Sequence, residues 1–268
     1  MRILMIGDIV GRPGKRACAE IVPQIIRERD IHFVVANAEN VAAGSGMTPA
    51  MFTKLRRQGI DVCTMGDHIY RRREIIETLV SSDRIVKPAN LPSEAAGRTW
   101  TVAPARDGEL VAVISLMGRT YMNVRSDCPF HAADRVLNEI PRDVRVIVVD
   151  VHAEATSEKV ALGWWLDGRV TGVVGTHTHI PTADARVLPR GTAYVTDLGM
   201  TGPYDSVLGR DKDRVIQSLV TGMPHPYDMA HDDVRLCGVI IDTNADGRAT
   251  AIERVEVSCA ASGDDGED

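Results

Sequence analysis

Five places in the chain set a metal-binding residue type directly after a short apolar run. Asp8 follows 2–6 (RILMI), Glu39 and Asn40 follow 33–36, Asp67 and His68 follow 62–65, His152 closes 145–151, and His177 and His179 follow 170–174. Three carboxylates gathered in one place repel and raise one another's pKa, a cost that a bound cation removes. Mixed oxygen and nitrogen donors suit Mn, Fe or Zn better than Ca or Mg, and the lack of thiolates argues against a structural zinc site. These eight side chains exceed what one ion accepts, so the pattern points to two ions ~3.5–4 Å apart that share a carboxylate. The sharpest local signal is His177-Thr178-His179, because positions i and i+2 of an extended segment point the same way.

Each signal has a plainer reading taken singly. Asp8 suits a turn or helix cap, Glu39-Asn40 a solvated loop, Asp67-His68 a capping pair, and His152 a core imidazole. The stretch from Gly7 to Gly14 has the spacing GxxxGxxG, which is not the GxGxxG of a dinucleotide loop. All five strand-end signals arising together by chance is far less plausible than any one. His32, His131, His225 and His231 follow no strand in this manner and read as surface or structural.

Positioning these groups requires strands that end on one edge. The runs at 2–6, 33–36 and 62–65 alternate with helical stretches at 15–29, from Thr48-Pro49 onward, and at 73–80. Thr48 serves as N-cap with Pro49 in the first helical position, and the residues from Gly11 to Gly14 read as a loop. Strands at 99–103 and 110–116 pair around Arg106-Asp107-Gly108, and helices follow at 131–139 and 156–162 around the strand 145–151. The last third reads as short strands and turns at 184–188, 192–197, 235–242 and 248–257, the last two joined by Asn244-Ala245-Asp246-Gly247. Such alternation predicts an α/β fold, a mostly parallel sheet with helices on its faces and a crevice at the strand ends. One domain over 1–258 is expected, with an acidic tail at 259–268 expected to be disordered.

Composition narrows the function classes. The 268 residues carry 31 basic and 37 acidic side chains, a formal charge of -6, so no broad basic surface drives nucleic-acid binding. Only five of the basic residues are lysine. Cys18, Cys63, Cys128, Cys237 and Cys259 show no CxxC spacing, which fits reduced thiols and a cytoplasmic location. No run approaches the ~20 apolar residues of a membrane span. The apolar segment 198–230, with its methionines and prolines, is a candidate contact in a homo-oligomer.

The ordered set GD(8), NAEN(37–40), GDH(66–68), H(152) and GTHTH(175–179), with KPAN at 87–90, resembles the calcineurin-like metallophosphoesterases. It is most similar to their bacterial YmdB-type branch, which hydrolyses 2′,3′-cyclic nucleotides and related phosphodiesters. The resemblance implies a four-layer α/β/β/α sandwich, a dinuclear centre of iron or manganese, and a small phosphodiester or cyclic-nucleotide substrate. It assigns Asp8, Glu39, Asn40 and His179 to one metal and has Glu39 bridge to a second, completed by Asp67, His152 and His177. His68 becomes the acid that protonates the leaving oxygen after a hydroxide readied by the metals attacks phosphorus. The chain departs from the family at Asp67, where asparagine is usual; the added negative charge would hold the second metal more tightly and make it less Lewis-acidic. A regulatory protein that binds metal and a phosphorylated ligand with little turnover is the alternative. A mononuclear amidohydrolase fits less well, since its HxH would come early in the chain.

Overall fold

A computed structural model describes residues 1–260; the acidic segment from 261 onward, expected to be a disordered tail, lies outside the described residues. The elements begin with β1 (Arg2–Ile6), β2 (Asp8–Ile9), α1 (Gly11–Glu28), β3 (Phe33–Asn37), α2 (Pro49–Arg57), β4 (Val62–Thr64), α3 (Ile75–Ser81) and β5 (Ile85–Val86). The middle holds β6 (Trp100–Pro104), β7 (Leu110–Met117), α4 (Pro129–Glu139), β8 (Val146–His152), α5 (Thr156–Leu166) and β9 (Gly172–Thr176). The rest comprises β10 (Arg186–Val187), β11 (Ala193–Val195), β12 (Met200–Pro203), α6 (Lys212–Thr221), β13 (Val234–Thr243) and β14 (Ala249–Ser258).

Two sheets form, as the family resemblance implied, where strand–helix alternation taken alone suggested one. The first runs β2-β12-β13-β1-β3-β4-β5 with β14 added on β13, and the second runs β10-β11-β9-β8-β7-β6. Within the first, β1, β3, β4 and β5 are mutually parallel and β13 is antiparallel to β1. Within the second, β7, β8, β9 and β11 are parallel, with antiparallel β6 and β10 at the edges. Parallel strands at the centre of a sheet are buried on both faces and read as near-continuous apolar runs, as Ile3–Ile6, Phe33–Ala36 and Val146–Val149 do; all seven residues of β8 are buried, Asp150 and His152 among them.

Three apolar clusters define the layers. Ala17, Ile21 and Ile25 of α1 and Leu55 of α2 pack with Leu4, Val34 and Cys63 on the outer face of the first sheet. Ile3, Met5, Phe33 and Val35 meet Val111, Val113, Val148 and Val174 between the sheets. Ala132 and Val136 of α4 and Leu162 of α5 cover Ile114, Val149 and Val173 on the far side. The result is the four-layer α/β/β/α sandwich.

Several boundaries differ from the sequence reading. Helix α1 starts at Gly11, not near residue 15, because proline is tolerated in a first turn whose N–H groups need no helical partner. Its first turn also packs so closely on β12 that a Cβ at Gly14 would lie 2.3 Å from the Thr201 carbonyl oxygen. Strands β2, β5 and β12 are too short to show periodicity. Helix α6 fell in a stretch read as strands and turns, although Asp211 caps it by accepting from the Arg214 N–H at 3.0 Å and Gly222 ends it at φ 68°. Cys259, assigned to the tail, donates its N–H to the Val234 carbonyl at 2.8 Å. The KPAN segment is a structural knot: the Lys87 ammonium donates to the Pro92 carbonyl at 2.9 Å, and Asn90 ties Met117 to Asp127.

Candidate metal centre

The strand ends of both sheets meet at one edge. Glu39, Asp67, His152 and His177 each offer a donor atom within 4.8 Å of the others. His152 Nε2 lies 3.0 Å from Glu39 Oε1, 3.1 Å from Asp67 Oδ1 and 3.1 Å from His177 Nδ1. Glu39 and His152 are fully buried, and Glu39 Oε1 has no hydrogen-bond partner. A buried carboxylate oxygen left without a donor costs free energy on the order of 1–3 kcal/mol or more. Lone-pair atoms of oxygen and nitrogen turned toward one another, with no thiolate among them, fit a transition-metal ion.

Asp8, Asn40 and His179 gather beside this cluster. The Asn40 amide nitrogen is 3.3 Å from Asp8 Oδ1 and 3.4 Å from His179 Nε2, and His179 Nε2 is 3.7 Å from Asp8 Oδ1. The two groups touch through Asp8 Oδ2, which accepts the His177 backbone N–H at 3.0 Å. His68 lies at their junction: its Nδ1 is 2.8 Å from Asn40 Oδ1, its Nε2 is 3.6 Å from Asp67 Oδ2, and its backbone N–H donates to Glu39 Oε2 at 2.9 Å. All eight residues singled out from the sequence are therefore brought to one edge, four in a tight cluster and four against it.

The reason for the His-Thr-His signal differs from the one the sequence suggested. The segment is not extended; His177 and His179 have φ of 91° and 65°. Non-glycine residues in this region cost about 1–3 kcal/mol each and persist only where the surroundings enforce them. The bend sends the two rings apart, His177 to Asp67 and His152, and His179 to Asp8 and Asn40.

Each imidazole is oriented by a partner on its other nitrogen. Thr176 Oγ1 donates to Asp150 Oδ1 at 2.7 Å and so accepts from His152 Nδ1 at 2.9 Å, which turns His152 Nε2 to the cluster. The second Asp150 oxygen accepts from Thr64 Oγ1 and from the Asn37 amide. Glu154 Oε2 sits 3.1 Å from His177 Nε2, and the Leu208 carbonyl takes the His179 Nδ1–H at 3.2 Å. The sequence reading missed Asp150, Thr176, Thr64 and Glu154 as supports, and had Asn37 only within a motif. An aspartate inside the β-branched run of β8 was the available signal, since buried carboxylates occur almost only with partners.

Electrostatics follow from burial and neighbours. For Asp8 and Asp67, burial works to raise the pKa, but hydrogen bonds and charge from the adjacent histidines prevail and hold both well below the carboxylate range. For His152 and His179, burial disfavours the cation, yet the carboxylates around them prevail and raise both. Burial raises Asp150. The carboxylates thus favour the cationic form of these two histidines, and the histidines the anionic form of Asp8 and Asp67.

A layered sandwich whose two parallel strand sets converge on carboxylates, an amide and histidines is that of a hydrolase of the metallophosphoesterase type. Residues 4–255 match the family described as YmdB-like protein, and the chain belongs to that family. It is 44% identical over 259 residues to the 2′,3′-cyclic-nucleotide 2′-phosphodiesterase of Bacillus subtilis (strain 168), covering 96% of this chain and 97% of that one. A hypothetical protein from Thermus thermophilus superposes with a TM-score of 0.90 at 39% identity, over 96% of this chain and 99% of that chain. A phosphatase from Mycoplasma pneumoniae gives the same TM-score of 0.90 at 27% identity, over 96% and 93%. No described helix is long and apolar enough to cross a membrane.

Proposed function

We propose that the chain hydrolyses small phosphodiesters of the 2′,3′-cyclic-nucleotide class at a centre that takes two iron or manganese ions. The observation that carries this reading is the Glu39 carboxylate, buried and unpartnered at Oε1 between imidazoles that face it. The near full-length relation to the Bacillus subtilis phosphodiesterase supports the substrate class. Asp8, Glu39, Asn40 and His179 would hold one cation, and Asp67, His152 and His177, together with Glu39, would hold the second. When bound, such cations supply Lewis acidity to water and to the phosphoryl oxygens.

His68 is the general acid. Its Nδ1–H donates to Asn40 Oδ1, which fixes the ring and leaves Nε2, on a partly exposed side chain, to carry the proton to the leaving oxygen. Proton transfer of this kind contributes ~10²–10⁴-fold. Glu39 Oε2 holds the His68 backbone, so one residue sets both the shared carboxylate and the acid. The reading is tested by release of product from 2′,3′-cyclic AMP and bis(p-nitrophenyl) phosphate with added Mn²⁺, paired with elemental analysis. Turnover with about two equivalents of metal supports it; tight ligand binding without product would favour the regulatory alternative.

A further inference from the structure

A buried ion pair beneath the His177-Thr178-His179 bend has no part in the chemistry above. Lys159 of α5 and Asp197, which follows β11, are both about 1% exposed and lie 2.8 Å apart. Their remaining capacity converges on the bend. The Lys159 ammonium reaches Thr178 Oγ1 at 3.0 Å, and Asp197 Oδ2 accepts from the Thr178 hydroxyl at 2.5 Å and from its backbone N–H at 3.3 Å. Asp197 Oδ1 accepts the Gly199 N–H at 2.7 Å. Gly175 lets the pair approach: a Cβ there would meet the Thr196 carbonyl oxygen at 1.8 Å and the Lys159 side chain at 2.8 Å.

Two charges withdrawn from water rarely add net stability, and well-packed apolar residues commonly replace such a pair without loss. A fold alone therefore gives no reason for this pair, whereas the bend does. His177 and His179 sit in left-handed backbone on either side of Thr178, a conformation that relaxes unless the surroundings hold it. We propose that Lys159, Asp197 and Thr178 are positioning residues that clamp this bend, so that one strained turn delivers its two imidazoles to two different cation positions. The inference rests on the metal-binding reading above.

The test compares Thr178→Val, which removes the hydroxyl, with Thr178→Ser, which keeps it; Thr178 is only partly buried, so both variants are expected to fold. Mn²⁺ affinity, read from the EPR signal of free Mn²⁺, should fall ~10-fold or more in Thr178→Val and return to near the parent value in Thr178→Ser, as loss of groups that orient ligands costs 10–100-fold. Lys159→Met should weaken Mn²⁺ binding at least as much; if it does not fold, the Thr178 pair decides. Equal Mn²⁺ affinity in the parent and a folded Thr178→Val overturns the clamp and leaves the metal centre standing. A parent chain that holds no iron by elemental analysis and binds no Mn²⁺ overturns the metal reading and the clamp with it.

Discussion

His68 and Asp67 are adjacent in the chain and serve opposite tests. His68 touches Asn40 and approaches Glu39 Oε1 at 3.4 Å, but its side chain is partly exposed and its Nε2 comes no nearer than 3.6 Å to Asp67 Oδ2. His68→Ala should lower turnover by ~10²–10⁴-fold with bound metal still near two equivalents by elemental analysis. Loss of metal together with activity would make His68 a ligand and not the acid. Asp67 places a carboxylate 3.1 Å from His152 Nε2 and 3.5 Å from His177 Nδ1. Asp67→Asn keeps one oxygen donor and removes a charge, so metal should be retained and turnover kept or raised. A collapse of both in kinetics and metal analysis would show that the charge itself holds the site.

Among the elements, the loop after β4 and the first turn of α1 depend on the absence of a side chain. Gly66 precedes Asp67 where a Cβ would lie 2.3 Å from the His152 ring and 2.5 Å from Glu39 Oε2. Gly66→Ala must displace the imidazole or the carboxylate, so Mn²⁺ affinity should fall by ~10-fold or more while far-ultraviolet circular dichroism stays that of the parent; unchanged affinity would mean the loop gives way. Gly14→Ala works away from the candidate metal ligands, between α1 and β12. Its Cβ would contact the Thr201 carbonyl oxygen at 2.3 Å, and overpacking of this kind costs typically ~1–3 kcal/mol, to be read in chemical denaturation as a lowered midpoint.

For the whole molecule, the charge balance of the metal-free site predicts a pH dependence. Asp8 and Asp67 have folded pKa values below their unfolded ones, so their stabilisation is present above about pH 4 and is lost as pH falls through the folded values. His152 and His179 have raised values; their stabilisation is complete below about pH 6.5 and is lost as pH rises through the folded values. Asp150, raised by burial, acts in the same sense as these histidines. In chelator, the Tm should therefore decline from about pH 6 to about pH 8. With excess Mn²⁺ that decline should shrink or reverse, because metal takes the deprotonated imidazoles and binding releases protons. A Tm in chelator that climbs over this interval would contradict the imidazolium balance.

What the sequence by itself determined is the set of chemical groups and the strands that present them. Asp8, Glu39, Asp67, His152 and His177 each end or follow an apolar run, and a parallel strand has only one end at which its successor residues can gather. Periodicity is local, so it fixed β1, β3 and β8 but not the two-residue strands β2 and β5, nor that the runs divide between two sheets. The tertiary structure alone decided which groups meet. The facing of the sheets brings Asn37 and Thr64 of the first to Asp150 of the second, while the pairing of β8, β9 and β11 brings Glu154 to His177 and the Lys159–Asp197 pair beneath a bend that the sequence presents as an ordinary extended triplet. Most of these partners lie tens of residues apart, and side chains so separated declare their contacts only after the chain has closed around them.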